Sequence, residues 1–149
     1  MNSTISHADL IRRRVLRIHA GFLFVITLVA TLITLIGWSS GKGPYALWHE
    51  QQFAAVGLFQ AYLLMFVVGV VLWLGSNMAG DLRKWDLIGL MGHIPPLAAN
   101  LIFANLFTAY GFHTVSIASI TLHLVWISVE LFAFFYKGRS IPTSRQVAI

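Results

Sequence analysis

The chain has 149 residues, of which 58% are hydrophobic and only 10% charged, and it contains no cysteine. A soluble domain carries roughly 25% charged residues, and a chain this short has too much surface to hide so many apolar side chains in a core. The composition therefore indicates a protein that spans a lipid bilayer. The lack of cysteine excludes disulfides, thiolate metal sites and cysteine nucleophiles.

The first segments of the chain are a basic N-terminal region and an apolar stretch. Ser6 to Arg17 is predicted as a short interfacial helix, with Ser6 as its N-cap and Asp9 three residues on. The apolar stretch 18–38 follows, and at about 1.5 Å per residue it reaches about 31 Å, enough to cross the hydrocarbon core. It is longer than the apolar region of a cleaved signal peptide, which has about 7–15 residues.

Three further apolar stretches have the length of membrane spans, at 53–74, 87–110 and 115–135. Gly41, Gly43 and Pro44 mark the loop before the second of the four spans. The turn at 111–114 is short, so the last two spans are expected to be antiparallel neighbours. The sequence therefore predicts an all-α protein, a single domain over residues 1–149 that forms an integral membrane bundle of four helices.

The basic residues predict the orientation of the spans. Lys42 alone lies on one side of the predicted membrane. The nine on the other side are Arg12, Arg13, Arg14, Arg17, Arg83, Lys84, Lys137, Arg139 and Arg145. This asymmetry follows the positive-inside rule, so both termini are expected in the cytoplasm. The protein is expected to be a multi-pass membrane protein, located in a bacterial inner membrane. Topology also explains the net charge of +5 without a nucleic acid partner.

The third span carries most of the polar groups inside the apolar stretches. It holds His93, Pro95, Pro96, Asn100 and Asn105. Polar groups in hydrocarbon are expensive and usually face other helices or a cavity. The third span is therefore expected to form an inner wall of the bundle, and its two prolines are expected to kink it or to open a cavity.

Depth along the helix axis groups the polar residues into two levels. His93 lies about 9 Å and Glu130 about 8 Å from the cytoplasmic face, so the two side chains are expected to meet. Asn100 lies about 20 Å from the same face, and His123 and Gln60 come out at similar heights. His19 lies near the start of the first span and approaches the pair only if its helix is tilted.

Most of these polar groups also have a purely structural interpretation. Gln60, Asn100 and Asn105 can serve as hydrogen-bonding contacts between helices, and His19 can anchor its helix at the interface. His49 and His113 lie at the outer surface, where solvation accounts for them. A single carboxylate about 8 Å deep, Glu130, is harder to explain by packing.

The residues favour acid–base chemistry on a lipophilic molecule. The sequence has no P-loop, no GxGxxG and no His-Glu-x-x-His, and no two histidines are four apart. His93 and His123 differ by about 9 Å in depth, which does not favour a haem between them. We therefore predict His93 and Glu130 as catalytic residues, Gln60, Asn100 and His123 as substrate contacts, and no metal site.

Two stretches carry a resemblance to a known family. The start of the first span, Arg17 to Phe24, and Ala99-Asn100 with Phe103 and Phe107 in the third span, resemble the four-span membrane mutases and isomerases. That family includes hydroxylaminobenzene mutase and styrene oxide isomerase. The resemblance implies a membrane enzyme that rearranges small aromatic compounds. It also makes haem b a possible cofactor and a homo-oligomer a possible assembly. The family's second span opens with Ala-His and then Asn-Gly, whereas Ala55 to Tyr62 here contains neither pair.

Two other classes of function stay open from the sequence. One is a non-catalytic accessory subunit of a larger respiratory or photosynthetic membrane complex, in which Glu130 pairs with a partner membrane subunit. The other is a small proton-coupled exporter with Glu130 as its coupling carboxylate. In every case the protein is expected to contact the lipid bilayer. If it is an enzyme, it is also expected to bind a small lipophilic substrate.

Overall fold

A computed structural model describes residues 6–138, and its regular structure is helical throughout that range. The elements are α1 (His7–Ser40), a 3-10 turn (Ala46–His49), α2 (Gln52–Asn77), α3 (Arg83–Ile102), α4 (Ala104–Ala109) and α5 (His113–Phe135). The prediction of an all-α protein is confirmed over these residues. Most of the residues after the last predicted span, including Arg139 and Arg145, lie outside the described residues.

Three of the helices, α1, α2 and α5, are long and apolar enough to cross a membrane. The third predicted span differs, because it is divided between α3 and α4 with a break at Phe103. α3 also begins at Arg83, four residues before the predicted start of the span. Its mean hydropathy is lowered by Asp86, His93 and Asn100.

α1 is longer than predicted because the interfacial helix and the first span form one helix. Its 34 residues reach about 51 Å at about 1.5 Å per residue. The predicted N-cap is confirmed, since the Ser6 hydroxyl accepts a hydrogen bond from the Asp9 N–H at 3.1 Å. The helix ends at Gly41, whose positive φ of 61° suits a residue without a Cβ.

The early start of α3 is explained by Asp81. Its carboxylate accepts a hydrogen bond from the Arg83 N–H at 3.0 Å and pairs with the Arg83 guanidinium at 3.0 Å. These hydrogen bonds hold the pKa of Asp81 below its usual value. The same carboxylate satisfies one of the N–H groups that the first turn of a helix leaves open. Further along, α3 continues through Pro95 and Pro96 without ending.

The longer helices pack side by side. α1 packs most extensively along α2, and α3 along α5, while smaller contacts join α2 with α3, α1 with α5 and α1 with α3. Leu16, Ala20, Leu23 and Leu72 form a small apolar core between α1 and α2. Gly69 of α2 lets that helix approach Phe24, because a Cβ there would lie 2.9 Å from the Phe24 ring.

The distribution of polarity is the reverse of that in a soluble domain. Large apolar side chains cover the outside, and Ile18, Leu64 and Phe135 each expose about two thirds of their surface. The fully buried side chains include several that ionise, namely His19, Asp86, His93 and Glu130. Soluble domains bury such groups rarely and expose large apolar patches rarely. This surface is compatible with a lipid environment.

Arginines of α1 close one end of the molecule, where α1 and α3 begin and α2 and α5 end. We call it the basic end. Arg13 donates hydrogen bonds to the carbonyls of Ser76 and Met78. Arg12 donates to the carbonyls of Ala133, Phe134 and Tyr136. These carbonyls lie at helix C-termini, where the helix leaves them unpaired and its dipole favours a cation.

Candidate functional site

Four buried ionisable side chains form a continuous row of hydrogen bonds, which we call the histidine chain. His19 Nδ1 is hydrogen bonded to Oε1 of Glu130. His19 Nε2 lies 2.7 Å from His93 Nε2, and His93 Nδ1 lies 2.8 Å from His123 Nδ1. Each side chain exposes 9% or less of its surface. The row runs from Glu130 through His19 and His93 to His123.

Three helices supply this row, and their packing fixes the rings. α1 contributes His19, α3 contributes His93, and α5 contributes both His123 and Glu130. Trp126, one turn before Glu130, stacks on the His19 ring with centroids 4.1 Å apart and planes 11° apart. This contact restricts rotation of the imidazole, so both of its nitrogens stay directed at their partners.

Gly89 allows the Glu130 carboxyl to lie against α3. A Cβ at this position would be 2.6 Å from Glu130 Oε1 and 2.8 Å from its Cδ, which is closer than real side chains approach. Gly89 lies one turn before His93 on α3. The glycine therefore places the carboxyl within reach of His19.

The two nitrogens of each neutral imidazole are one donor and one acceptor. When Glu130 is ionised, His19 donates from Nδ1 to the carboxylate and accepts at Nε2. His93 must then donate from Nε2 and accept at Nδ1, so His123 donates from Nδ1. The tautomers alternate, with the proton on Nδ1, Nε2 and Nδ1 of the three residues in turn.

This alternation lets a proton cross the site without leaving a charge inside. If His123 receives a proton on Nε2, each hydrogen bond can pass its proton one step toward Glu130. All three histidines end neutral with reversed tautomers, and Glu130 ends protonated. An isolated charge in an apolar interior has a high free-energy cost. The stepwise shift is therefore favoured over a state in which one histidine stays protonated and charged.

The far end of the histidine chain opens to a cavity. His123 and His93 line a space of about 150 Å³, together with Thr27, Tyr62 and Ser119. His123, Tyr62 and Ser119 also line a second space of about 440 Å³ that extends toward Trp48 and Phe112. The His123 Nδ1 is bonded to His93, which leaves Nε2 for a ligand.

Asn100 holds Ser119 in place at the wall of the larger cavity. Its amide donates to the Pro96 carbonyl at 2.8 Å and to Ser119 Oγ at 3.1 Å. It also accepts from the Ser116 hydroxyl at 3.3 Å. Because Ser119 Oγ accepts the amide proton, its own hydroxyl proton is available to a ligand. Ser119 lies one turn before His123 on α5.

The structure arranges the predicted catalytic residues differently from the depth argument. His93 and Glu130 share no hydrogen bond, and His19 bonds to both of them. The predicted separation of His93 and His123 is wrong, since their Nδ1 atoms are 2.8 Å apart. Gly89, one turn before His93, is the residue of α3 that lies against Glu130. The imidazole of His19 spans the distance between the Glu130 carboxyl and His93.

The predicted substrate contacts have different positions. His123 and Asn100 both line the larger cavity. Gln60 is exposed on α2, outside the histidine chain, so its role in binding stays a prediction. His49 bonds the Trp38 carbonyl and His113 bonds Thr108, and both are exposed.

The sequence interpretation left His19 outside the predicted site and brought it near the pair only for a tilted helix. His19 is fully buried, on the same face of α1 as the buried Thr27 and Thr34. Because α1 begins at His7, His19 lies three turns inside the helix instead of at its start. The helical spacing of Arg12, Leu16, His19 and Leu23 was the available signal.

The buried histidines do not fit a haem held between two of them. His19 Nε2 and His93 Nε2 face each other at 2.7 Å, which leaves no space for an iron atom between them. Within residues 6–138, no three His, Asp or Glu side chains are arranged to hold a metal ion. The donors form a row instead of converging on one point.

No family model, curated protein or solved structure matches this chain. The function must therefore be inferred from the site itself.

Proposed function

We propose that this chain is a multi-pass membrane protein in which α1, α2, α3 with α4, and α5 form a four-helix bundle. The apolar outer surface supports lipid contact, and the buried ionisable groups support an interior shared between helices. The arginines at the basic end support a cytoplasmic location for both termini. α1 exceeds the roughly 30 Å of hydrocarbon, so its first turns extend into the headgroup region.

We further propose that the protein is an acid–base isomerase of small lipophilic molecules. The observation that carries this proposal is the unbroken hydrogen-bonded row from a buried carboxyl to the wall of an apolar cavity. An isomerase of this type removes a proton from one atom of its substrate and returns one to another. His123 Nε2 is the group that takes and returns the proton, and Glu130 stores it through the histidine chain.

The lining of the cavities indicates the class of substrate. None of the residues that line either cavity is Lys, Arg, Asp or Glu. An uncharged molecule therefore fits better than an acid or an amine. The hydroxyl of Ser119 is placed to donate to an oxygen of the substrate, and the aromatic rings of Trp48 and Phe112 suit an apolar body.

A substrate screen in bilayer discs tests the proposal. Uncharged oxygen-bearing aromatic and aliphatic compounds are incubated with the protein, and products of unchanged mass are separated by chromatography. We expect turnover that is abolished in His93→Phe and Glu130→Leu while both variants stay folded. His113→Gln is the matched control, because His113 is exposed outside the histidine chain. Full activity in both variants would refute the assignment.

A proton-coupled exporter is the second candidate. It is favoured by the larger cavity, which extends away from Glu130 toward Trp48 and the 3-10 turn. A proton bound at Glu130 would then exchange for a ligand in the cavity. Transport assays in liposomes with an imposed pH gradient distinguish the two, because an isomerase needs no gradient. Gradient-driven efflux that persists in Glu130→Gln would exclude Glu130 as the coupling carboxylate, and the absence of gradient-driven efflux of any ligand tested would count against the exporter.

A further inference from the structure

A second buried carboxyl lies beside the histidine chain at the basic end. Asp86 lies one turn before Gly89 on α3 and is fully buried. Neither of its carboxyl oxygens has a hydrogen-bond partner among the described residues. Its nearest cation is Arg12, whose Nε lies 3.4 Å from Oδ2. The position of Asp86 is not required by any helix cap.

Glu130 presents a matching open oxygen. Its Oε1 is bonded to His19, whereas its Oε2 is buried without a partner in residues 6–138. The Glu130 carboxyl packs against Gly89, three residues after Asp86 on α3, where an added Cβ would lie 2.8 Å from Glu130 Cδ. Arg12 Nε contacts both Asp86 and the carbonyl of Ala133, three residues after Glu130 on α5, so the two carboxyls lie in neighbouring turns of packed helices. Buried polar oxygens are nearly always hydrogen bonded, so each such exception calls for an explanation.

Arg12 links this pocket to the surface. Its guanidinium makes its hydrogen bonds to carbonyls of α5 and the residue after it, so it supplies charge to Asp86 without satisfying its oxygens. Arg12 also lies 3.5 Å from the carboxylate of Asp9, which is one-third exposed. The charged groups around Asp86 are therefore Arg12 from α1 and Glu130 from α5, with Asp81 at longer range.

We propose that Asp86 is the proton port of the histidine chain, through which protons are exchanged with the solvent at the basic end. A proton on the Asp86 carboxyl passes to Oε2 of Glu130, with water as the carrier. The proton on Oε1 passes to Nδ1 of His19, so Glu130 gains one proton and loses one. Only O–H and N–H bonds are made and broken, and no group is oxidised or reduced.

The port completes a path of carboxyl, carboxyl and three imidazoles from the basic end to the cavity. This inference rests on the proposed function, because the proton that travels along the path is delivered to, or taken from, the molecule bound beside His123. Its consequence is that a substrate proton exchanges with solvent on the side of the basic end.

Hydrogen–deuterium exchange of the buried imidazoles tests the port without any substrate. The protein carries ¹⁵N-histidine and the His123→Phe substitution, which closes the route through the cavity. Exchange at His19 is followed by NMR in bicelles after transfer to D₂O. We expect Asp86→Asn in this background to slow exchange by about 100-fold, the usual scale for loss of a positioned acid–base group.

Two controls separate a port from a structural role. Asp81→Asn removes an exposed acid that pairs with Arg83, and it should leave the exchange rate unchanged. Asp86→Glu keeps a carboxyl and should restore fast exchange, whereas a purely structural residue would not be rescued by a larger acid. Asp86→Ser replaces the amide variant if circular dichroism shows that Asp86→Asn is unfolded.

Equal exchange rates with and without Asp86→Asn would overturn the port. This failure is distinguishable from failure of the proposed function, because turnover is measured separately. A slow-exchanging Asp86→Asn variant together with turnover that is indifferent to His93 and Glu130 would refute the isomerase and keep the port.

Discussion

Replacing Gly89 by alanine tests the position of the Glu130 carboxyl. The added Cβ would lie 2.6 Å from Oε1 and 2.8 Å from Cδ. Non-bonded heavy atoms pack best at about 3.5 Å or more, so the carboxyl must retreat by almost 1 Å. Oε1 is the atom bonded to His19, so the retreat weakens the first link of the histidine chain.

The expected loss of stability follows from three contributions. Overpacking costs about 2 kcal/mol, and a buried imidazole left without its partner costs about 2 kcal/mol more. Alanine is about 1 kcal/mol better than glycine inside a helix, which leaves a net destabilisation of about 3 kcal/mol. Unfolding in mixed micelles by titration with SDS, followed by circular dichroism, measures this difference.

Gly92→Ala is the matched control on the same helix. A Cβ there would meet only Val68 Cγ1, at 3.4 Å. This variant should be as stable as the parent or up to about 1 kcal/mol more stable, because it gains helix propensity without a severe clash. If Gly89→Ala and Gly92→Ala unfold at the same SDS fraction, the carboxyl does not lie against Gly89 and the argument for the first link is refuted.

Three other substitutions test separate parts of the site. Glu130→Gln should keep the fold but prevent the tautomers of His19 and His93 from reversing with pH, as followed by ¹⁵N NMR. Trp126→Leu should lower the free energy of unfolding by about 1–3 kcal/mol, and it should broaden the His19 signals because the stacked ring is lost. Ser119→Ala should weaken binding of oxygen-bearing ligands about 10-fold, the value of one hydrogen bond. Binding of the matching hydrocarbons, measured by quenching of tryptophan fluorescence, should be unchanged; an equal loss for both would count against the hydroxyl contact.

The helices could be predicted from the sequence more closely than their ends. Apolar runs marked α1, α2 and α5, and Ser6 with Asp9 marked the start of α1. The prediction divided α1 at Arg17 because charged residues differ from an apolar span in hydropathy. Arginine is nevertheless a good helix former, and α1 continues through the basic segment. Hydropathy reports the solvent around a segment, not the continuity of its backbone.

The members of the site could be predicted only in part, because their order depends on relative helix heights. Depth counted from the span ends placed His93 level with Glu130, but α3 begins at Arg83 and Gly89 takes that level. An error of one turn, about 5 Å, changes which side chains meet. His19 was interpreted as an anchor at the membrane interface because it lies near a predicted span end, and Asp86 was placed in the loop before the third span, so neither was included among the site residues.

The most direct test of the account is the tautomer of each buried histidine, measured by ¹⁵N NMR of histidine-labelled protein in bicelles. With Glu130 ionised, we expect the proton on Nδ1 of His19, Nε2 of His93 and Nδ1 of His123. Lowering the pH should reverse all three together as Glu130 is protonated. The same tautomer at His19 and His93, or histidines that change independently of one another, would contradict the histidine chain.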